Sequence, residues 1–192
     1  MKYEAIVIGV SSGGMITLNT ILRHLPSDFA LSIIIVQHQH PESDDFIAKF
    51  LDAKCSLTVK QADEKESILP GVIYIAPPNY HLMIEEDRTF SLTIDKRVHY
   101  ARPSIDILFE TAADVFGEKL VGIILTGANK DGSHGLRKIK ESGGLTIVQD
   151  PDTAEVDTMP KAAIASTKID YILPLEKIGP FICTLYGLWL KE

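Results

Sequence analysis

Four stretches of this sequence, Tyr3 to Val10, Leu31 to Gln37, Val121 to Thr126 and Leu145 to Val148, are short apolar runs rich in β-branched residues and free of hydrophobic–polar alternation. A strand with one face in water alternates with period two. Runs that do not alternate belong to strands covered on both faces, the condition of a parallel sheet held between helices. Helical patterns lie between the runs: Gly14 to Leu25 carries Ile16, Leu18, Ile21, Leu22 and Leu25, and Ser104 to Phe116 carries Ile107, Leu108, Ala112, Val115 and Phe116. Ser104 follows Pro103 and is placed to cap the second of these helices, with Asp106 near its positive end. Alternating strand and helix imply right-handed βαβ units. Gly71 to Ala76 and Tyr80 to Ile84 are shorter apolar stretches, and Thr89 to Ile94 follows the second across a polar tip, Glu85-Glu86-Asp87-Arg88. The last two read as an antiparallel hairpin added to the sheet. The expected fold class is α/β: a doubly wound, mostly parallel sheet with an antiparallel hairpin at one edge.

The chain has 192 residues, 45% hydrophobic and 23% charged, ordinary globular proportions. A chain of this length buries roughly 70% of its unfolded surface, and no linker, repeat or low-complexity tract divides it, so residues 1–192 are expected to form a single domain. A formal net charge of −7 speaks against a duplex-wrapping protein, whose affinity comes from neutralising phosphates. Two cysteines without a CxxC or Cys/His ladder exclude a disulfide scaffold and a zinc finger. No apolar run approaches the ~20 residues that span a bilayer, and no basic segment leads a signal peptide, so the expected location is the cytoplasm, without membrane insertion.

Open parallel sheets bind ligands beyond the carboxyl ends of their strands, so the residues at those ends matter most. The first strand runs into Gly9-Val10-Ser11-Ser12-Gly13-Gly14, the second into Gln37-His38-Gln39-His40, and the strand at 121–126 into Gly127-Ala128-Asn129-Lys130-Asp131-Gly132. A serine, a histidine and an aspartate therefore emerge on one edge of one sheet, the inventory of a nucleophilic hydrolase. A dinucleotide fingerprint is disfavoured because Ser11 stands where its middle glycine belongs and no acid ends the second strand; a phosphate-binding loop is disfavoured because Met15 and Ile16, not Lys and Ser/Thr, follow Gly14. Gly9-Val10-Ser11-Ser12-Gly13 spells GxSxG, which suits a serine on a tight strand-to-helix turn, but the order Ser…His…Asp and the position near the start reject an α/β-hydrolase.

Each residue also has a plainer reading. Ser11 or Ser12 caps the helix that follows, Asp131 caps a helix from 132 to 142, and His38 is a surface histidine. His38 and His40 have HxH metal spacing without a partner motif, so no metal is expected. His134 is close enough in sequence to Asp131 to compete as a base but reads as a helix neighbour; His24, His81 and His99 read as surface or structural, and Met15, Met83 and Met159 as gap fillers. The C-terminal stretch from Leu175 to Glu192 reads as a helix whose apolar face, Ile178, Phe181, Ile182, Leu185 and Leu188, packs on the sheet.

Seven blocks in order, Ile8 to Gly14, Val36 to His38, Leu69 to His81, Ala101 to Asp106, Ile124 to Gly132, Gly143 to Asp150 and Met159-Pro160, resemble the catalytic domain of CheB-type protein-glutamate methylesterases of bacterial chemotaxis. The resemblance implies a catalytic triad of Ser11, His38 and Asp131 and an oxyanion site at the backbone amide of Ser12. An amide at Ala128 is placed to join it. It also implies a substrate, the γ-glutamyl methyl ester on the cytoplasmic helices of methylated chemoreceptors, with glutamine deamidation as a related reaction and no cofactor. Two rivals stand beside this reading: a hydrolase of the same mechanism acting on another ester or amide, and a binding module of the same fold that docks receptors without turnover. The sequence departs from the family at Ala128-Asn129-Lys130, where Met and Gly are usual, and at Gln39-His40-Pro41, where an apolar residue and proline follow the histidine. The family's receiver domain has no counterpart ahead of the first strand, so activity without phosphorylation is the expectation.

Overall fold

The computed structural model describes residues 2–187. Seven strands form one parallel sheet in the order β3-β4-β2-β1-β7-β8-β9, with β1 (Ala5–Val10) and β2 (Ser32–Gln37) flanked by β4 (Val72–Ile75) and β3 (Thr58–Gln61) on one side and by β7 (Leu120–Ile124), β8 (Leu145–Gln149) and β9 (Tyr171–Leu173) on the other. The unalternating runs divide their side chains between two cores. Ile6, Ile8 and Val10 point into a cluster with α1 (Gly14–Leu22), α2 (Phe46–Asp52) and α6 (Leu175–Gly187), whereas Ala5 and Val7 point into one with α3 (Ile105–Phe116), α4 (Ser133–Glu141) and α5 (Thr158–Ser166). Each fully buried Ile, Leu or Val contributes about 1.5–3 kcal/mol, so both faces of the central strands stabilise the fold. The expected C-terminal helix packs Ile178 and Ile182 into the first core; Leu188 lies outside the described residues.

The expected hairpin exists, pairing β5 (His81–Ile84) with β6 (Phe90–Thr93), but it is a separate two-stranded sheet instead of an edge of the large one. Its apolar side, Leu82, Ile84 and Phe90, is buried in the core under α3, so the hairpin is held by side-chain packing. The sheet's edges are β3 and β9.

The chain leaves β1 toward β2, β3 and β4 on one side and resumes at β7 on the other. The crevice between β1 and β7 is therefore the point where strand order reverses, and both strands end in the loops that carry serine and aspartate.

Candidate active site

The final rungs of the sheet fix the three loops against one another. Ser11 N–H donates to Thr126 O (2.9 Å), His38 N–H to Val10 O (3.1 Å), and Thr126 N–H to the Gln149 side chain (2.9 Å), which ties the chain past the end of β7 to β8. Buried Gln37 donates through Nε2 to both Ser11 O and His38 O, each at 2.9 Å, and so clamps the two residues together. The clamp explains Gly14: a Cβ there would lie 1.7 Å from Gln37 Oε1. Gly13, at φ 76°, turns the chain into α1 in a conformation that other residues rarely adopt. Gly127 approaches so closely that a Cβ would sit 3.0 Å from Ser11 Cβ and 2.6 Å from Met159 Cε; Met159, 1% exposed, fills the gap beside the serine.

This framework brings Ser11, His38 and Asp131 into one chain of hydrogen bonds. His38 Nδ1 lies 3.2 Å from Ser11 Oγ, and His38 Nε2 lies 2.8 Å from Asp131 Oδ2. Asp131 is fully buried, and each oxygen accepts two donors: Oδ2 from His38 Nε2 and Ile105 N–H (2.7 Å), Oδ1 from Ser104 Oγ–H (2.8 Å) and Asp106 N–H (3.1 Å). A carboxylate has about four lone-pair sites, and all are used. Burial by itself would raise the Asp131 carboxyl, but the hydrogen bond from His38 together with the Ile105 and Asp106 amides outweighs it and holds the group below the ordinary carboxylate range. An anion saturated in this way requires the proton on His38 Nε2, which leaves Nδ1 bare to accept the Ser11 hydroxyl proton. The ring nitrogens thus play the reverse of their parts in the familiar serine-protease arrangement.

Asp131 does cap a helix, as its plainer reading held, but the helix is α3 and not the one it precedes. Ser104, the N-cap of α3, makes no local cap and donates to Asp131 instead. Sequence reasoning placed Ser104 at the helix start and missed this partner, which lies 27 residues away. Asp106, expected near the helix end, accepts Gly135 N–H (2.8 Å) and ties α3 to α4. His81 is fully buried: its Nδ1 accepts Ser104 N–H and its Nε2 donates to Lys96 O, both at 3.1 Å, and burial pushes it below the usual histidine range.

The other candidates lie apart from this chain. His40 is exposed and accepts Glu42 N–H, while His134 faces the ring of His99 at 6.1 Å. Among the described residues no group of three or more His, Cys, Asp or Glu side chains is disposed to hold a metal ion, and no helix is long and apolar enough to cross a membrane. Ser12 is half-buried at the turn into α1, whose N-terminus has no side-chain cap, and Ala128 is exposed one residue beyond Gly127.

Comparison with known proteins points the same way. The CheB methylesterase family model matches residues 6–182. A Leptospira interrogans protein is 55% identical over 185 residues, covering 96% of each chain. A Thermotoga maritima protein named protein-glutamate methylesterase/protein-glutamine glutaminase is 38% identical over 178 residues; the match covers 91% of this chain and 52% of that one, so this chain spans about half its length. The crystal structure of the Thermotoga maritima CheB methylesterase catalytic domain superposes with a TM-score of 0.91 at 36% identity, covering 96% of this chain and all of that one. With a family match across nearly the whole sequence and a solved catalytic domain sharing its fold, the chain belongs to the CheB methylesterase family.

Proposed function

We infer that residues 1–192 act as one catalytic domain, a serine hydrolase that demethylates γ-glutamyl methyl esters on the cytoplasmic helices of chemoreceptors. The observation that carries this reading is the chain Ser11 Oγ, His38, Asp131 at 3.2 and 2.8 Å, ending in a carboxylate with every lone pair occupied. Ser11 attacks the ester carbonyl while His38 Nδ1 takes its proton. The imidazolium is stabilised by Asp131 and returns the proton to the departing methoxide, releasing methanol. The Ser12 amide, at the uncapped end of α1, and the Ala128 amide donate to the oxyanion. Water then cleaves the acyl-enzyme by the same route reversed, leaving glutamate. With ammonia as leaving group the same steps convert glutamine to glutamate. The scheme needs no metal or cofactor, and its place is the cytoplasm, where the receptor helices lie.

The test is methanol release from a receptor fragment methylated on its glutamates. Purified protein is expected to release methanol and Ser11→Ala protein to release it at least ~10³-fold more slowly. Hydrolysis of small esters with the methylated fragment left intact would reassign the enzyme to another ester or amide. Binding of the fragment without release would make the protein a docking module.

A further inference from the structure

A cleft of about 230 Å³ opens beside His38, lined by His38, Arg97, His99, Tyr100, Arg102 and Asn129 among others, and no carboxylate lines it. That is unusual for a chain with 26 acidic residues against 19 Lys and Arg. The arginines sharpen the contrast. Arg23, Arg88 and Arg137 are each paired with a glutamate, whereas Arg97 and Arg102, the two in the cleft, have no carboxylate partner among the described residues.

The two have different duties. Among the described residues Arg102 donates only to neutral acceptors, Asn79 Oδ1 and the carbonyls of Ile94 and Asp95, so it anchors the loop without an ion pair there. Arg97 is exposed and, among the described residues, bonded to nothing. It precedes a tight turn closed by mutual backbone hydrogen bonds between Val98 and Ala101, with His99 at φ 48° and Tyr100 at φ 64° and 95% exposed. Asp106, buried and outside the lining, engages His99 Nε2 at 3.3 Å and holds the turn to α3. Lys96 and Lys130, sequence neighbours of the lining residues Arg97 and Asn129 and without ion pairs among the described residues, add positive charge, and exposed Asp95 lies outside the lining.

We propose that this cleft is an anion subsite that binds a side-chain carboxylate of the substrate protein close to the scissile ester, with Arg97 as its principal contact. The proposal rests on the methylesterase reading and names its preferred substrate. Because the cleft shares His38 with the reacting chain, a bound carboxylate lies within one side chain of the ester. A glutamate about one 5.4 Å helical turn from the ester supplies such a carboxylate, and hydrolysis of an ester at that spacing creates one. An enzyme with this subsite binds a segment carrying a carboxylate at that spacing more tightly than one in which it is esterified.

The experiment titrates Ser11→Ala protein, which leaves esters intact, with two labelled helical peptides, each bearing one γ-glutamyl methyl ester flanked one turn away by either Glu or Gln. Binding of the Glu-flanked peptide is expected to be ~3–5-fold tighter at low ionic strength, the scale of an exposed charge pair. The difference is expected to disappear with Arg97→Gln and in ~1 M salt. Equal binding of the two peptides, no binding of either, or a preference that survives Arg97→Gln would overturn the proposal. So would equal affinity for the Glu-flanked ester and a Gln-flanked peptide carrying glutamate in place of the ester, since the subsite would then hold only the product. Glu-dependent binding with no methanol released by the Ser11 protein would sink the methylesterase reading and leave the subsite standing.

Discussion

Helices α1 and α3 both begin at the functional edge of the sheet, and their N-termini are used in opposite ways. The end of α3 is filled: Asp131 accepts the Ile105 and Asp106 amides, so the positive end of the helix holds a permanent anion. The end of α1 has no side-chain cap and no acidic residue in its first turn, and it follows directly on Ser11 and Ser12. The contrast separates two ways in which a helix end serves catalysis. In the proposed mechanism the filled end fixes a carboxylate that orients a histidine, while the uncapped end offers amides to a charge that exists only in the transition state.

The largest expected effect lies at the uncapped end. Ser11→Ala removes the nucleophile and should reduce methanol release by ~10³-fold or more, whereas Ser12→Ala, which keeps its backbone amide, should retain much of the rate. Equal loss in both variants, with unchanged circular dichroism, would break the distinction between side chain and amide at this turn. Next comes the filled end. Asp131→Asn should lower kcat by ~10²–10⁴-fold, since an amide favours the wrong histidine tautomer, and should reduce the unfolding free energy by about 1–3 kcal/mol, because α3 loses an ionic cap. Asparagine that retained both rate and stability would show that the carboxylate's charge is idle. Ser104→Ala sharpens the same end, removing one of the donors to Asp131; urea unfolding should show a loss of about 1 kcal/mol, with a smaller fall in kcat than Asp131→Asn causes.

The smallest effect concerns the layer behind Ser104. His81 is neutral where it accepts the Ser104 amide, and burial holds its pKa below the 6.5 of an unfolded histidine. Between the two values the unfolded chain binds a proton that the folded chain does not, so this group's contribution to stability falls as pH drops below about 6.5, by at most ~1.4 kcal/mol per unit. His81→Asn should flatten that part of the difference between urea unfolding at pH 7 and at pH 5.5. A variant with the wild-type pH dependence would show that His81 is not the group responsible.

What the sequence disclosed follows from which properties are local. β1, β2, β7 and β8 were legible because strands covered on both faces leave unbroken apolar runs. β3, with Lys60 and Gln61 in a four-residue edge strand, and β9, only three residues long and half exposed, carry no such signature. The hairpin was legible as a pair, but its separation from the large sheet depends on Leu82, Ile84 and Phe90 finding a core under α3, which is a tertiary matter. Ser11, His38 and Asp131 stood out because strand ends are sequence features and ligands gather at them. The Asp131 contacts with Ser104, Ile105 and Asp106, the reversed use of the His38 nitrogens, and the lack of carboxylate partners for Arg97 and Arg102 among the described residues depend on residues far apart in the chain.

The central claim is that Asp131 and His38 together make Ser11 nucleophilic. Intact-mass analysis after brief exposure to a fluorophosphonate tests it directly. The protein should take up a single adduct, mapped by digestion to the peptide containing Ser11, with labelling at least ~10³-fold slower in His38→Ala and nearly unchanged in His40→Ala. Labelling that failed altogether, or that proceeded equally fast without His38, would contradict the account.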